Sequence, residues 1–265
     1  MATTVDVMTF NLRMPVRDRQ PGDPDHWLTR LPAAIDLLRT RRPAVVGTQE
    51  GCDPQWDRLL AELPHYQRLG TGRERGHKGE YSAILVDSGV LEVADWTQFT
   101  LSETPDVLGS RSWDSSCTRA AVVAELVVRA TGERFTLANT HLDHVSDWAR
   151  VEGTRLIRSR IPRRATVVTG DFNCTAGEAA AWQGFMDDGF VDTWLTRPDS
   201  ATSDEAVDTF HDYSEPGIAG ERPERIDWIL ATPDVGVVSS EIVTDRPGGV
   251  WPSDHWPVVA RLEIP

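Results

Sequence analysis

Short apolar runs recur from one end of the chain to the other, and one after another they end on a side chain that can bind a cation or move a proton. Phe10 is followed by Asn11, Thr48-Gln49 by Glu50, Asn139-Thr140 by His141-Leu142-Asp143, and Val168-Thr169-Gly170 by Asp171-Phe172-Asn173. Pro252-Ser253 leads into Asp254-His255 before the last run, and Asp227 lies among apolar neighbours in Ile226 to Ile229. A buried strand that ends in a carboxylate or amide delivers that group to one edge of its sheet. Any fold for this chain has to accommodate many such edges at once.

The runs read as strands over Val5 to Phe10, Val45 to Thr48, Tyr81 to Val86, Arg119 to Val128, Phe135 to Thr140, Thr166 to Thr169, Ile226 to Leu230 and Val258 to Leu262. Helical spacing appears in Leu31, Ile35 and Leu38 after Thr29, in Trp148, Val151, Leu156 and Ile157 after Ser146, and in Ala179, Trp182 and Phe185 after Thr175. The chain therefore mixes α and β throughout. With no linker composition and no repeat, one domain over residues 1–265 is expected. Two irregular stretches, Gly70 to Gly79 and Thr196 to Arg225, are long enough to suggest functional loops.

Composition narrows the function. The 27 Lys and Arg against 41 Asp and Glu leave a formal charge of −14, which disfavours a long polyanion as partner. Hydrophobic residues at 40% and charged residues at 26% exclude collagenous, coiled-coil and disordered classes. Cys52, Cys117 and Cys174 are odd in number and far apart, against a disulfide framework or a cysteine zinc site and in favour of a reducing compartment. Met1 to Thr4 run straight into Val5 to Phe10 with no leader pattern, and no window approaches the ~18 apolar residues of a membrane span. The expected setting is the cytoplasm, without a membrane partner and as a monomer.

The carboxylates, amides and histidines at the run ends form an oxygen-rich set suited to a hard divalent cation, Mg²⁺ or Mn²⁺. Their order is also recognisable. Phe-Asn-Leu-Arg (10 to 13), Thr-Gln-Glu (48 to 50), Gly-Glu-Tyr-Ser-Ala-Ile-Leu (79 to 85), Asn-Thr-His-Leu-Asp (139 to 143), Gly-Asp-Phe-Asn (170 to 173), Arg-Ile-Asp (225 to 227) and Ser-Asp-His-Trp-Pro-Val (253 to 258) together resemble the endonuclease/exonuclease/phosphatase superfamily. The resemblance spans essentially the whole chain. It implies a four-layer α/β sandwich, two packed mixed β-sheets flanked by helices, and metal-dependent hydrolysis of phosphate esters.

Carried over position by position, the resemblance implies Glu50 as principal metal ligand, with Asn11 and Asp254 close to the metal. It implies Asp171 as the group that orients or deprotonates water, Asn173 as a phosphate and water contact, and Asp227 as the carboxylate that holds His255 toward the phosphoryl group. His141 matches a second histidine of the deoxyribonuclease branch, expected to protonate the leaving oxygen, with Glu80 as its support. Arg119 falls where that branch has a phosphate-contacting arginine, a task suited to a fork of N–H donors.

Leu101 to Asp106 and Gly109 to Asp114 resemble a branch shared with nocturnin-like and deadenylase-like proteins and with bacterial relatives that include phosphatases of small metabolites. Of the ten tryptophans, Trp113 and Trp251 are expected in loops and are candidates for substrate stacking, as His211 is for substrate contact in Thr209-Phe210-His211. Arg73, Arg75, His77 and Lys78 make one locally basic loop that could grip a second phosphate or polar substituent. The expectation is an Mg²⁺-dependent phosphomonoesterase of a small phosphorylated metabolite. A nuclease or phosphodiesterase would share every catalytic residue and is the alternative.

Overall fold

The computed structural model describes residues 3–198, 208–214 and 224–265. The chain runs through β1 (Thr3–Asn11), α1 (Trp27–Arg41), β2 (Val45–Gln49), α2 (Asp53–Glu62), β3 (Tyr66–Leu69), β4 (Ile84–Asp87), β5 (Leu91–Thr100) and β6 (Ala120–Val128). It continues with β7 (Arg134–His141), α3 (Asp147–Arg160), β8 (Thr166–Asp171), α4 (Ala180–Asp187), β9 (Val191–Asp192), α5 (Thr193–Thr196), β10 (Asp227–Ala231), β11 (Gly236–Ile242) and β12 (Val258–Ile264). Two six-stranded mixed sheets result, ordered β11-β12-β1-β2-β4-β3 and β5-β6-β7-β8-β10-β9. No helix among the described residues is long and apolar enough to cross a membrane.

Period-two alternation sorts each strand's side chains into two layers. Val5 and Val7 of β1 join Val45, Leu137, Val167 and Ile229 in the apolar layer between the sheets. Met8 and Phe10 point the other way, against Ile35 and Leu38 of α1 and Trp56 and Leu59 of α2. On the far side, Ile157 of α3 and Phe185 of α4 cover Val123, Ala138, Val168 and Trp228. Helices outside, two sheets inside, is the four-layer sandwich that the resemblance implied.

Every strand of the sheet interiors was legible in the sequence, and each of the four missed strands, β3, β5, β9 and β11, is a sheet edge. An edge strand buries one side of its ladder at most, so it needs no dense apolar run. β5 is largely exposed and β11 half so, and a bulge in each breaks the alternation, between Val93 and Asp95 and between Val237 and Ser239. The expected run from Tyr81 to Val86 is strand only from Ile84. α3 starts where Ser146 foretold, its side chain capping Ala149 N–H, whereas α1 begins at Trp27, ahead of Thr29, and α4 at Ala180, well after Thr175. The short α2 and α5 were not anticipated.

Strand pairing positions the polar side chains at the strand ends. β1 and β2 are parallel and pair Asn11 with Gln49, one residue short of Glu50. In the other sheet β7 pairs in parallel with β8, His141 facing Asp171, and β10 pairs antiparallel to β8, Asp227 facing Asp171. His141, Asp171 and Asp227 thus form a row across three neighbouring strands.

Toward these strand ends the layer between the sheets turns from apolar to polar. The Asn139 amide donates to the carbonyls of Thr48 (2.8 Å) and Ala83 (3.1 Å), and its oxygen accepts from Gln49 Nε2 (2.8 Å) and Thr169 Oγ1 (3.0 Å). One buried side chain therefore bonds both sheets. Gly47 makes the approach feasible, because a Cβ there would overlap Thr169 Oγ1 and the Asn139 side chain. Replacing Asn139 by Leu strands the Thr48 carbonyl and takes one of two acceptors from the Gln49 amide, while the Ala83 carbonyl keeps the Thr48 N–H and hydroxyl. We expect a loss of roughly 1–3 kcal/mol, read as a lower urea midpoint at unchanged slope.

Candidate active site

The polar strand ends open into a cleft of about 510 Å³. Glu50 enters it from the first sheet, with Asn11 buried just behind it, His141 and Asp171 from the second, and Asp254 and His255 from the segment leading into β12. The Asn11 amide joins the two sheets' contributions, donating to Glu50 Oε1 at 3.0 Å and Asp171 Oδ2 at 2.9 Å. Glu50 sits just past β2 at φ 65°, a left-handed turn that carries its carboxylate back to accept from Met14 N–H at 2.9 Å. Burial opposes its charge, yet the Met14 N–H, the Asn11 amide and the nearby His255 and Arg13 hold it below the ordinary glutamate value. Asp254 lies 3.4 Å from Arg13 Nε and accepts from Ser253 Oγ; burial and the neighbouring Glu50 push it up.

Asp171 is the centre of the arrangement. Its Oδ1 accepts from the Asn173 N–H at 3.0 Å, while His141 Nε2 approaches Oδ2 to 3.4 Å and His255 Nε2 to 3.8 Å. Asn173, itself at φ 50°, anchors its amide on the Leu142 carbonyl. His255 Nδ1 is 2.9 Å from Asp227 Oδ2, the pairing expected from the sequence. Burial and the facing Asp227 raise Asp171. The two histidines diverge. Burial would lower His255, but Asp227 and Asp171 outweigh it and hold the ring as a cation. Burial, with Arg119 and Arg73 nearby, keeps His141 neutral. Pairs of titratable groups driven apart in this way are what acid and base chemistry requires.

A second wall of the cleft carries Arg73, Glu80, Cys117, Arg119 and His144. Glu80 accepts from Arg73 Nη2 at 2.7 Å, and His141 Nδ1 has no partner among the described residues, so the expected Glu80 support of His141 is replaced by a Glu80–Arg73 pair. Arg119 reaches the cleft as the resemblance implied and donates to His144 Nδ1 at 3.1 Å. Cys117, Asp143 and His144 come close enough to suggest a metal cluster. Asp143, however, is already filled by the Ser115 and Ser116 hydroxyls and the Ser116, Val145 and Ser146 N–H groups. It ties together the segments on either side of the cleft wall.

Three expected substrate contacts are not brought to this cleft. His211 is buried and packs flat on Trp251, ring centroids 4.5 Å apart, and against Trp256 at 4.2 Å. Its Nδ1 accepts from Tyr213 N–H, and burial lowers it to about 3. Trp251 is occupied by that stack, and Trp113 lines a separate surface pocket with Glu103 and Glu152. The residue that does face the cleft is Phe210, 41% exposed, its ring 4.9 Å from His255. A single bridge pairing Phe210 with His255 sets this alternation, so one neighbour of the pair faces out and the other in. Arg13, whose motif was noticed but not given a role, also lines the cleft. Part of the expected Thr196 to Arg225 loop, residues 199–207 and 215–223, lies outside the described residues.

The donor set fits a hard divalent cation. Glu50, Asp171 and His141 bring ligand atoms within 4.8 Å of one another, as do Asp171, Asp227 and His255. The carboxylates of half-buried Glu50 and of buried Asp171, Asp227 and Asp254 exceed the cationic charge of Arg13 and His255 beside them, and like charges so crowded call for a further cation.

A family profile described as "Endonuclease/Exonuclease/phosphatase family" matches residues 8–255. The chain belongs to this family, whose members are hydrolases acting on phosphoesters. Among solved structures it is similar to an endonuclease/exonuclease/phosphatase from Bacteroides vulgatus, at 34% identity over 99% of this chain and 100% of that one, TM-score 0.88. It is also similar to a mannosyl-6-phosphatase of Bacteroides thetaiotaomicron, at 28% identity over 97% and 99%, TM-score 0.85. The human nocturnin catalytic domain, solved with a bound sulfate anion, shares the fold at 16% identity over 99% and 94%, TM-score 0.70. No curated protein matches the chain.

Asp143 gives a pH test of the cleft wall. Burial opposes its charge, but its five donors hold it well below the ordinary value, so its stabilising effect is complete above the unfolded pKa of about 3.9 and fades as pH falls toward the folded value. Asp143→Asn should lower the urea midpoint at pH 7, and the gap from wild type should shrink by pH 3.

Proposed function

We propose that this chain folds as one catalytic domain and is a divalent-metal-dependent phosphomonoesterase of a small phosphorylated metabolite, a sugar phosphate or nucleotide-like compound. The observation that carries this reading is the position of the Asp171 carboxylate, hydrogen-bonded to Asn11 and Asn173 and approached by both histidines. The cleft volume of about 510 Å³, the charge of −14 and the similarity to a mannosyl-6-phosphatase favour a small ester over a polymer. Three unpaired cysteines are in keeping with a cytoplasmic setting.

Glu50, Asn11 and Asp254 would hold the metal, which supplies Lewis-acid neutralisation of the phosphate and an acidified water. Asp171, raised by burial and by Asp227, is suited to take a proton from the attacking water, with Asn173 orienting that water and the phosphate. His255, kept cationic by Asp227, faces the charge that grows on the phosphoryl oxygens. His141 is held neutral, so it serves as an N–H donor to a phosphoryl or leaving oxygen rather than as the acid expected from the sequence.

Phosphate release with Mg²⁺ should be found for at least one ester in a panel of sugar phosphates, nucleotides and dinucleotide phosphates, while DNA and RNA stay intact. Polymer cleavage without free phosphate would overturn the phosphatase reading. In the same assay Asp171→Ala should abolish turnover, whereas the Glu50→Gln variant should hold its metal more weakly and reach its full activity only at raised Mg²⁺.

The pH profile of kcat/KM should be bell-shaped, rising as Asp171 ionises through its raised pKa and falling as His255 loses its proton through its own. Asp227→Asn removes the carboxylate charge that most supports the His255 cation. Its alkaline limb should move to lower pH, with kcat reduced on the order of 10²–10⁴-fold.

A further inference from the structure

The cleft is electrostatically divided. Carboxylates crowd the side of Glu50, Asp171 and Asp254, while the opposite character belongs to Arg73 and Arg119, which reach the cleft from the Gly70–Gly79 loop and from the start of β6. Both guanidinium groups are almost wholly buried, at 6% and 5% exposure. A guanidinium does not shed its charge, so it must find acceptors where it lies. Here the acceptors run short. Arg73 donates through Nη2 to Glu80 and, at 3.7 Å, to Cys117 Sγ; Arg119 donates through Nη2 to His144. Arg73 Nε and Arg119 Nε and Nη1 are buried without an acceptor among the described residues.

The anions nearby do not fill the deficit. Asp143, 3.9 Å from Arg119 Nε, is saturated by its serine and backbone donors. Glu80 is pushed toward its neutral form by burial and by Glu50, against the pull of Arg73. Burial and the neighbouring Arg73 likewise weigh on Arg119. Two buried cations with free N–H groups beside a catalytic cleft are a costly arrangement unless a ligand completes it.

We propose that Arg73, with Arg119 beside it, forms an anion subsite that holds a second anionic group, a phosphate or a carboxylate, carried by the leaving group of the substrate. The proposal rests on the phosphomonoesterase reading and narrows it: the preferred ester carries a second anionic group besides the phosphate that reacts. Arg119 borders His141 and so serves the reacting phosphate as well, whereas Arg73 gives selectivity. A planar fork of donors matches either oxyanion in bidentate fashion.

Glucose 6-phosphate, glucose 1,6-bisphosphate and 6-phosphogluconate separate the two sources of the second charge. The wild type should prefer one of the esters with a second anionic group over glucose 6-phosphate by about tenfold or more in kcat/KM. Arg73→Gln should shrink that preference to within about threefold, chiefly through KM, and Arg73→Lys should recover part of it. A second arm measures binding of the same three ligands to the Asp171→Ala protein in EDTA by calorimetry, comparing it with the Asp171→Ala/Arg73→Gln double variant. An Arg73-dependent preference in binding without hydrolysis of any small ester would sustain the subsite and sink the phosphatase reading. Hydrolysis with no preference for a second anionic group, or with a preference that survives Arg73→Gln, would overturn the subsite alone.

Discussion

The bond that the rest of the structure depends on is the buried grip of Asn139 on the opposite sheet. Apolar packing between two sheets is non-directional and tolerates sliding, whereas three hydrogen bonds from one amide across to Thr48, Ala83 and Gln49, with Thr169 of its own sheet fixing that amide, do not. Gly47 removes the side chain that would hold the sheets apart at this point. The polar groups gathered at the cleft arise from both sheets, Asn11 and Glu50 from one and His141, Asp171 and Asp227 from the other, so their mutual distances are only as well defined as the register between the sheets. The Asn11 bridge from Glu50 to Asp171 is the outermost rung of that polar seam.

Charge is distributed against stability at this edge. Buried carboxylates crowd one side of the cleft, and two under-satisfied guanidinium groups stand on the other. Neither side is self-sufficient, and a cation for the first and a substrate oxyanion for the second resolve both. The same crowding separates the histidines: His255, between Asp227 and Asp171, keeps its proton, while His141, beside Arg119 and Arg73, does not. Two chemically identical rings thereby acquire different roles from their surroundings.

How far the sequence reached can be judged element by element. The interior strands were readable because a strand buried on both faces must be apolar along its length, and Asn11, Glu50, His141, Asp171, Asp227 and His255 were readable because they terminate or interrupt such runs. The edge strands β3, β5, β9 and β11 escaped because half-exposed ladders carry polar residues and bulges. In the loops the pattern failed at the level of single residues. His211 was favoured over Phe210, but the bridge to His255 turns Phe210 toward the cleft and buries His211 among tryptophans.

The order and chemical type of the polar strand ends are properties of the sequence alone; they marked a mixed α/β chain with an oxygen-rich site, because a buried strand has few ways to accommodate a carboxylate except at its end, and they carried the resemblance that implied the family and its four-layer sandwich. Only the tertiary structure decided which groups meet. It paired Glu80 with Arg73 instead of His141, left buried N–H groups of Arg73 and Arg119 open, and carried Trp113 to a different pocket. Those outcomes depend on sheet register and loop direction, which come from long-range packing and leave no local periodicity for a sequence to display.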